Sequence, residues 1–311
     1  MPVRRLPSIS TVARSFSTAR TVTPANAWPT LTVFGAPESI ESIAALDSKV
    51  PIRAISVAAA GAHASAAASA IECRIMKPVV IFRHARSEGP AYFATYLESR
   101  AIPWKLFALD EGRAVPRDVG RFSGLAFMGG PMSVNDELPW IKPMLELVRE
   151  AVRKDVPTLG HCLGGQLMSK ALGGEVTRTR VKEIGWGRVE VEDNSVAREW
   201  FAPLTEFDSF HWHGETFSIP PGATRVLGNA HCANQAFATG KHLGLQCHVE
   251  MTEGLIRDWC RGGAEEIRAS AAGPGVQQSA KIEKNLAARV AALHKVADRI
   301  YDRWMEGLAR G

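Results

Sequence analysis

The chain lacks any apolar run approaching the ~18 residues that a membrane-spanning helix needs. Of its 311 residues, 46% are hydrophobic and 22% are charged, which are the proportions of an ordinary soluble globular protein. The sequence therefore predicts no association with a membrane. A chain of this length suffices for one large domain or two small ones.

Blocks of basic residues and nucleic-acid-binding motifs are also missing. The net charge is +5 and the isoelectric point is about 9.0, but lysine and arginine are scattered and cluster no further than isolated pairs. A nucleic-acid-binding surface usually shows a basic stripe or a recognisable motif. We therefore expect no nucleic-acid partner.

Paired cysteines are a third absence. The five cysteines are widely spaced, odd in number, and include no C-x-x-C pair: Cys73, Cys162, Cys232, Cys247 and Cys260. Such a set favours reduced thiols over a disulfide framework. The sequence thus predicts a cytoplasmic protein.

Residues 1–75 differ in composition from the rest. They are rich in Ala, Ser, Thr and Pro and contain the low-complexity run AAAGAHASAAASA. We expect a disordered or loosely packed extension. The first twenty residues hold four arginines and no acid, as a transit peptide does. A non-functional extension or a mis-assigned start is favoured over targeting, because MKPVVIF at Met76 resembles the start of a domain.

Residues 76–265 show apolar strands alternating with amphipathic helices. Val79 to Phe82 is a continuous apolar run, as in a buried parallel strand. The alternation predicts the α/β class, with a mostly parallel open sheet and helices on both faces. Ligands of such sheets bind at the carboxyl ends of the strands. A regular apolar stripe predicts a long C-terminal helix over 276–310, packed on the domain.

The stretch from Val156 to Gly174 carries the clearest catalytic pattern. It reads as a buried strand over 156–159, a tight turn over 160–164, and a helix over 165–172. Cys162 has a glycine two residues away on each side, which is the nucleophile-elbow pattern. The helix N-terminus would favour a thiolate there. A buried structural cysteine is the alternative.

A base for this cysteine is expected at His248, which follows the apolar strand LGLQC. Glu250 lies two residues later, and residues i and i+2 of an extended chain share a face. The carboxylate could therefore hold the imidazole in one tautomer. Isolated H-x-E triplets are usually incidental, but the order and strand context here agree with the elbow.

Three segments together resemble the class I (triad-type) glutamine amidotransferases. GHCLGGQ, from Gly160, is similar to their G-x-C-x-G-x-Q signature, and QCHVE, from Gln246, to their His/Glu segment, although Val replaces the commoner Pro. FMGGPMSV, from Phe127, resembles their glycine turn. The resemblance spans about residues 77–259 and is strongest to stand-alone domains like the amidotransferase half of GMP synthase. It implies a flavodoxin-like fold.

The resemblance implies hydrolysis of the glutamine side-chain amide through a Cys162–His248–Glu250 triad and a thioester, with no cofactor and no metal. The N–H groups of Gly130 and Leu163 would stabilise the oxyanion. The substrate contacts that it implies are Gly129, Gln166, and the segment Glu183, Ile184, Gly185 and Trp186, the last four through backbone groups.

The motif His211-Trp212-His213 stays unexplained. A His-x-His pair suggests metal ligation, but the sequence offers no third ligand at a credible spacing, so packing is favoured. His161, beside the nucleophile, is given no catalytic role.

We do not expect a complete GMP synthase, because only 61 residues follow Glu250 and no ATP-binding S-G-G-x-D-S-like run occurs. A G-x-x-x-x-G-K-[ST] phosphate-binding loop is absent as well. Three alternatives remain: hydrolysis of glutamine, alone or with a synthetase subunit that accepts the ammonia; a γ-glutamyl peptidase acting on peptides or conjugates; and a catalytically silent binding module. The intact Cys, His and Glu set argues against the third.

Overall fold

The computed structural model describes residues 76–308. Its strand β1 (Val79–Arg83) carries apolar side chains on both faces of the sheet. Val79 and Ile81 lie in one apolar core, and Val80 and Phe82 lie in a second; all four are fully buried. Successive side chains of a strand point to opposite faces of the sheet. The sheet is therefore covered on both sides, as the sequence predicted.

Five parallel strands form one half of the sheet. Their spatial order is β2 (Trp104–Ala108), β1, β3 (Gly124–Phe127), β4 (Thr158–His161) and β9 (His242–Leu245). The carboxyl ends of these strands meet at one edge. The turns after β3 and β4 and the residues after β9 are thereby brought together, although they are far apart in sequence.

Four antiparallel strands form the other half. Beyond β9 the order continues with β8 (Ala236–Thr239), β7 (Thr224–Gly228), β5 (Val176–Val191) and β6 (Glu206–Phe217). The predicted α/β class is confirmed, and the nine-stranded sheet is mixed. The region expected to form only short strands includes the two longest, β5 and β6, which pair with each other.

Helices cover both faces of the sheet. In chain order they are α1 (Ala91–Ser99), α2 (Ile141–Arg153), α3 (Leu163–Ala171), α4 (Ser195–Phe201), α5 (Glu253–Gly262), α6 (Ala264–Ala269), α7 (Ser279–Ile282) and α8 (Leu286–Glu306). Helices α2 and α3 pack into the core that contains Phe82, and α1 and α8 pack into the core that contains Ile81.

The C-terminal helix is shorter than the sequence suggested. Residues 276–285 were expected to be part of it, but Val276 forms a parallel bridge with Ile184 of β5, and α8 begins only after Asn285, whose φ is 55°. The pairing with β5 holds the start of this segment extended, and the short helix α7 (Ser279–Ile282) that follows is separate from α8. Helix α8 contacts α1 through the Tyr92 hydroxyl, which donates to Asp298 at 2.6 Å.

The predictions for residues 1–75 lie outside the described part of the chain, and the domain division there stays a prediction. Within residues 76–308, no helix is long and apolar enough to cross a membrane. The four cysteines of that range are free thiols, and all are buried.

Candidate active site

Cys162 lies at the corner between β4 and α3. Its φ of 50° and ψ of −107° are unusual for a residue with a side chain, and such backbone strain costs about 1–3 kcal/mol and concentrates at functional sites. The Cys162 N–H donates to the Leu245 carbonyl at 2.8 Å, which fixes the corner against β9. The strand runs to His161 and the helix starts at Leu163, so the turn is tighter than the predicted 160–164.

The glycines around Cys162 allow α3 to lie directly on the sheet. A Cβ on Gly164 would lie 2.0 Å from the Phe127 carbonyl oxygen, and one on Gly165 would lie 2.5 Å from that of Leu245. A larger residue at either position would push the helix away. The close approach sets the helix N-terminus, with its positive potential, immediately beside the sulfur.

Gln246 is a site residue that the sequence analysis missed. Its Nε2 lies 3.5 Å from Cys162 Sγ, and its Oε1 accepts a hydrogen bond from Gln166 Nε2 at 3.2 Å. The signal was available, because Gln246 precedes His248 by two residues and so shares its face in an extended chain. Gln166 is itself buried, and its amide also approaches the Glu215 carbonyl at 3.4 Å.

His248 and Glu250 form a buried pair just after β9. His248 Nδ1 lies 2.6 Å from Glu250 Oε1, and both side chains are almost completely inaccessible. The backbone of His248 bonds to Phe210 of β6, and the ring of Trp259 packs edge-on at 5.1 Å. The imidazole is therefore fixed in position from three sides.

The pKa values of this pair diverge. Burial alone would lower the pKa of His248, but the negative charges of Glu250 and of a Cys162 thiolate outweigh it, and the pKa stands well above its ordinary value. Burial would raise the pKa of Glu250, but His161 and His248 hold it well below the usual range. The pair thus favours an imidazolium beside a carboxylate.

The second oxygen of Glu250 faces His161. Glu250 Oε2 has no hydrogen-bond partner within the described residues, and His161 Nε2 lies 3.7 Å away. The same nitrogen is 3.2 Å from the Tyr301 hydroxyl of α8. Burial lowers the pKa of His161. No role was expected for His161, yet the structure places this neutral ring against the carboxylate.

The glycine turn after β3 lies against the same site. A Cβ on Gly130 would lie 2.7 Å from a Leu163 methyl carbon, so the two expected oxyanion residues are neighbours. A Cβ on Gly129 would lie 3.3 Å from His248 Cε1 and 2.0 Å from Glu88 Oε2. The half-buried Glu88 was not expected here; burial raises its pKa to about 7.

The segment from Glu183 to Trp186 was expected to contact the substrate through its backbone, and two of its N–H groups already have partners. The Ile184 N–H donates to the Gly275 carbonyl at 2.9 Å, and the Trp186 N–H donates to Gln277 Oε1 at 3.1 Å. A Cβ on Gly185 would also strike the Gln277 side chain. These N–H groups are therefore taken by residues 275–277 and are not free to bind a substrate, because the AAGPG break pairs with β5.

Comparisons with known proteins agree with this architecture. The sequence model of the family "Glutamine amidotransferase class-I" matches residues 93–257, more than half of the chain. The chain is 29% identical over 188 residues to the glutamine amidotransferase-like protein YfeJ of Salmonella typhimurium, covering 56% of this chain and 77% of that one. It is 33% identical over 130 residues to a glutamine-hydrolysing GMP synthase subunit of Sulfurisphaera tokodaii, covering 41% and 66% respectively.

A solved structure supports the same assignment. The crystal structure of a glutamine amido transferase from Methylobacillus flagellatus superposes with a TM-score of 0.74 at 44% identity, covering 76% of this chain and 97% of that one. The family match includes the strand, corner and helix around Cys162 and the segment that ends with Glu250. The chain therefore belongs to the class-I glutamine amidotransferase family and is an enzyme of the glutamine-hydrolysing type.

Proposed function

We propose that this chain hydrolyses the side-chain amide of glutamine through Cys162, His248 and Glu250. The observation that carries the proposal is the buried His248–Glu250 contact of 2.6 Å, together with a Cys162 close enough for its charge to raise the His248 pKa. An imidazolium favours a thiolate nearby, and the thiolate is the reactive form of cysteine.

The reaction proceeds in two steps. The Cys162 sulfur attacks the amide carbon of glutamine, and His248 gives its proton to the departing nitrogen, so that ammonia leaves and a thioester remains. His248 then takes a proton from water, whose oxygen attacks the thioester carbon and releases glutamate and the thiol. Glu250 keeps Nδ1 of the ring occupied, so that Nε2 performs both transfers.

Backbone N–H groups of Gly130 and Leu163 stabilise the oxyanion in both steps. The contact between these two residues supports the assignment, and one such donor typically lowers the barrier by about 3 kcal/mol. Gln246 holds the sulfur through its amide, and Gln166 holds Gln246. These two glutamines position the nucleophile before the substrate arrives. Gly129 leaves room for the substrate.

Ammonia released here is delivered to a separate synthetase subunit. The relative from Sulfurisphaera tokodaii, which is named as one subunit of a glutamine-hydrolysing GMP synthase, supports this part of the proposal. Hydrolysis itself needs only glutamine and water. Glutamate release in the absence of any acceptor is therefore the activity that tests the hydrolytic half.

The test is release of glutamate and ammonia from glutamine by the full chain. Replacing Cys162 with Ala should lower the rate by about a thousandfold or more, because the covalent step is lost. Cys260→Ala is the matched control, since Cys260 is also a buried thiol but lies on α5. Equal rates for wild type and Cys162→Ala would refute the proposal.

Substrate choice is tested with the same assay. Glutamine and γ-glutamyl dipeptides present the same acyl group, but the leaving group is ammonia in the first and an amino acid in the second. We expect a higher kcat/KM for glutamine. A higher kcat/KM for the dipeptides would replace the amidase assignment with a γ-glutamyl peptidase and would leave the roles of Cys162 and His248 unchanged.

A further inference from the structure

A second group of buried titratable side chains lies on the β5–β6 pair. The register of these strands sets Glu183 opposite His213 and Gly185 opposite His211. One potential ligand atom from each of Glu183, His211 and His213 lies within 4.8 Å of the other two, and all three residues are buried. The third ligand that the His-x-His motif lacked in sequence is thus supplied by the neighbouring strand.

Each of the two histidines has one ring nitrogen inside the cluster and one outside it, which we call the inner and outer nitrogens. Each outer nitrogen faces a backbone carbonyl. His211 Nε2 lies 3.3 Å from the Gly187 oxygen, and His213 Nδ1 lies 3.1 Å from the Glu215 oxygen. A carbonyl only accepts, so these two nitrogens carry the hydrogens. In the neutral rings, the inner nitrogens are therefore left as lone-pair donors. This outer arrangement is typical of histidines that bind metals.

The inner atoms are all acceptors. His213 Nε2 lies 3.1 Å from Glu183 Oε2, and His211 Nδ1 is buried without a hydrogen-bond partner within the described residues.

A single proton cannot satisfy this arrangement. Placed between His213 and Glu183, it makes an ion pair but leaves His211 Nδ1 without a partner. A divalent cation at the centre satisfies all three atoms at once. The carboxylate is already oriented for this, because Asn229 Nδ2 donates to its Oε1 at 2.7 Å and Gln235 Nε2 donates to its Oε2 at 2.8 Å.

We infer that Glu183, His211 and His213 form a binding site for a divalent transition metal, with Zn²⁺ as the ion that the ligand set fits best. Two imidazoles and one carboxylate are a common zinc ligand set, with bonds of about 2.0–2.2 Å. Two ligand atoms of one ion can then be at most about 4.4 Å apart, so the three side chains draw slightly closer on binding.

A cavity gives the ion a route and a fourth ligand. A space of about 270 Å³ is lined by Glu183 and His211, and also by Asn229, the exposed His231 and Lys281. Water from this cavity completes the tetrahedron. Cys162 and His248 do not line this cavity, although the Trp212 carbonyl, between the two histidines of the cluster in sequence, lies 4.0 Å from Cys162 Sγ.

The experiment measures metal binding and does not depend on glutamine hydrolysis. Full-length Cys162→Ala protein, which removes a competing thiol, is stripped with a chelator and dialysed against micromolar Zn²⁺ or Co²⁺. We expect one equivalent of bound zinc and an upward shift in Tm. Bound Co²⁺ should show the visible bands of a tetrahedral ion without a thiolate charge-transfer band.

Variants locate the ion. In the same background, His213→Gln and Glu183→Gln should weaken binding by about tenfold or more, whereas His242→Gln should bind as the parent does. His242 is a matched control, because it is also buried and its ring contacts Thr158 at 2.9 Å. Circular dichroism of the metal-free proteins establishes that each variant folds, and His211→Asn serves if His213→Gln does not.

Three results would overturn the inference. The first is no bound zinc at micromolar concentration, which would leave a proton-linked His213–Glu183 pair as the explanation of the cluster. The second is unchanged affinity in the folded His213→Gln protein. The third is a cobalt spectrum dominated by thiolate ligation, which would assign the metal to the remaining cysteines.

Discussion

Two buried histidine–carboxylate pairs of this enzyme differ in how completely their polar atoms are satisfied. Around Glu250, Oε2 and the Nε2 of His248 lack hydrogen-bond partners within the described residues. Around Glu183, both carboxylate oxygens accept side-chain amide hydrogen bonds, and the open atoms in the described part of the chain are ring nitrogens of His211 and His213. Buried polar groups are nearly always paired, so the carboxylate with an open oxygen is the one at Glu250, whereas at Glu183 it is histidine nitrogens that are left open.

The difference also concerns the backbone that carries each pair. His248 and Glu250 follow the last parallel strand, at the edge where the Cys162 corner and the glycine turn also lie. Glu183 and His213 lie opposite each other in the antiparallel ladder of β5 and β6, directly after its register shift. We therefore expect the first pair to exchange protons with a substrate and the second to hold an ion.

The largest effect expected from this comparison is a contrast between two histidine variants. His248→Asn should lower kcat about a thousandfold or more, because it removes the proton carrier, and it should also lower the unfolding free energy by about 3 kcal/mol, because the buried Glu250 loses its imidazolium partner. His213→Asn should leave kcat within about tenfold and lower the unfolding free energy by only about 1 kcal/mol, because Glu183 loses one contact but keeps the hydrogen bonds from Asn229 and Gln235.

Steady-state glutamine hydrolysis and urea unfolding of metal-free protein measure this contrast. Both variants are compared with wild type in the same buffer. If the two proteins lost activity equally, the proposed division between a chemical pair and a structural pair would be wrong.

The next effect is a pH shift in Glu250→Gln. In wild type the charge of Glu250 helps raise the His248 pKa, so the imidazolium that protonates ammonia persists well above the ordinary histidine range. Activity is lost as the pH rises through this raised pKa. Without the carboxylate, burial lowers the pKa, so the alkaline limb should move to lower pH and kcat should fall about 10²–10⁴-fold.

The measurement is kcat against pH for wild type, Glu250→Gln and the control Glu183→Gln, all metal-free. The acid and alkaline limbs of the pH profile should give apparent pKa values that belong to the Cys162–His248 pair as a coupled unit, and not to two isolated groups. The control should keep the wild-type alkaline limb, since Glu183 belongs to the other pair. An unmoved limb in Glu250→Gln would contradict the role given to this carboxylate.

The sequence was sufficient for the parts of this comparison that depend on local geometry. The glycines around Cys162 predicted the corner, and the spacing of His248 and Glu250 predicted a shared face. Those two residues do contact each other. Gln246 lies two residues before His248 and so shares the same face, but the sequence analysis overlooked it.

The parts that depend on strand register could not be predicted. Glu183 meets His213 only because β5 shifts register between Arg178 and Glu183, and no local pattern encodes that shift. The pairing of residues 275–277 with β5 was equally hidden, and it took the backbone groups of Ile184 and Trp186 from their expected substrate role. Contacts within one segment follow from spacing, whereas contacts between segments require the fold.

The smallest expected effect concerns the contacts of His161 and Tyr301 that lie next to the Glu250 carboxylate. The Tyr301 hydroxyl contacts His161, which in turn faces Glu250. Tyr301→Phe removes one hydrogen bond, worth about 1 kcal/mol, so kcat should fall by at most about fivefold. KM should not change, because the proposed mechanism gives neither Tyr301 nor His161 a contact with the substrate.

Tyr96→Phe is the matched control for that variant. Tyr96 also packs against α8, but its hydroxyl donates to Asp302 at 2.5 Å, whereas the Tyr301 hydroxyl bonds to His161. Both substitutions should cost similar stability in urea unfolding, and only Tyr301→Phe should lower kcat. If both lowered kcat alike, helix packing alone would account for the loss. Glu250 would then be held by His248 without help from His161, and the open oxygen of that carboxylate would have no partner in catalysis.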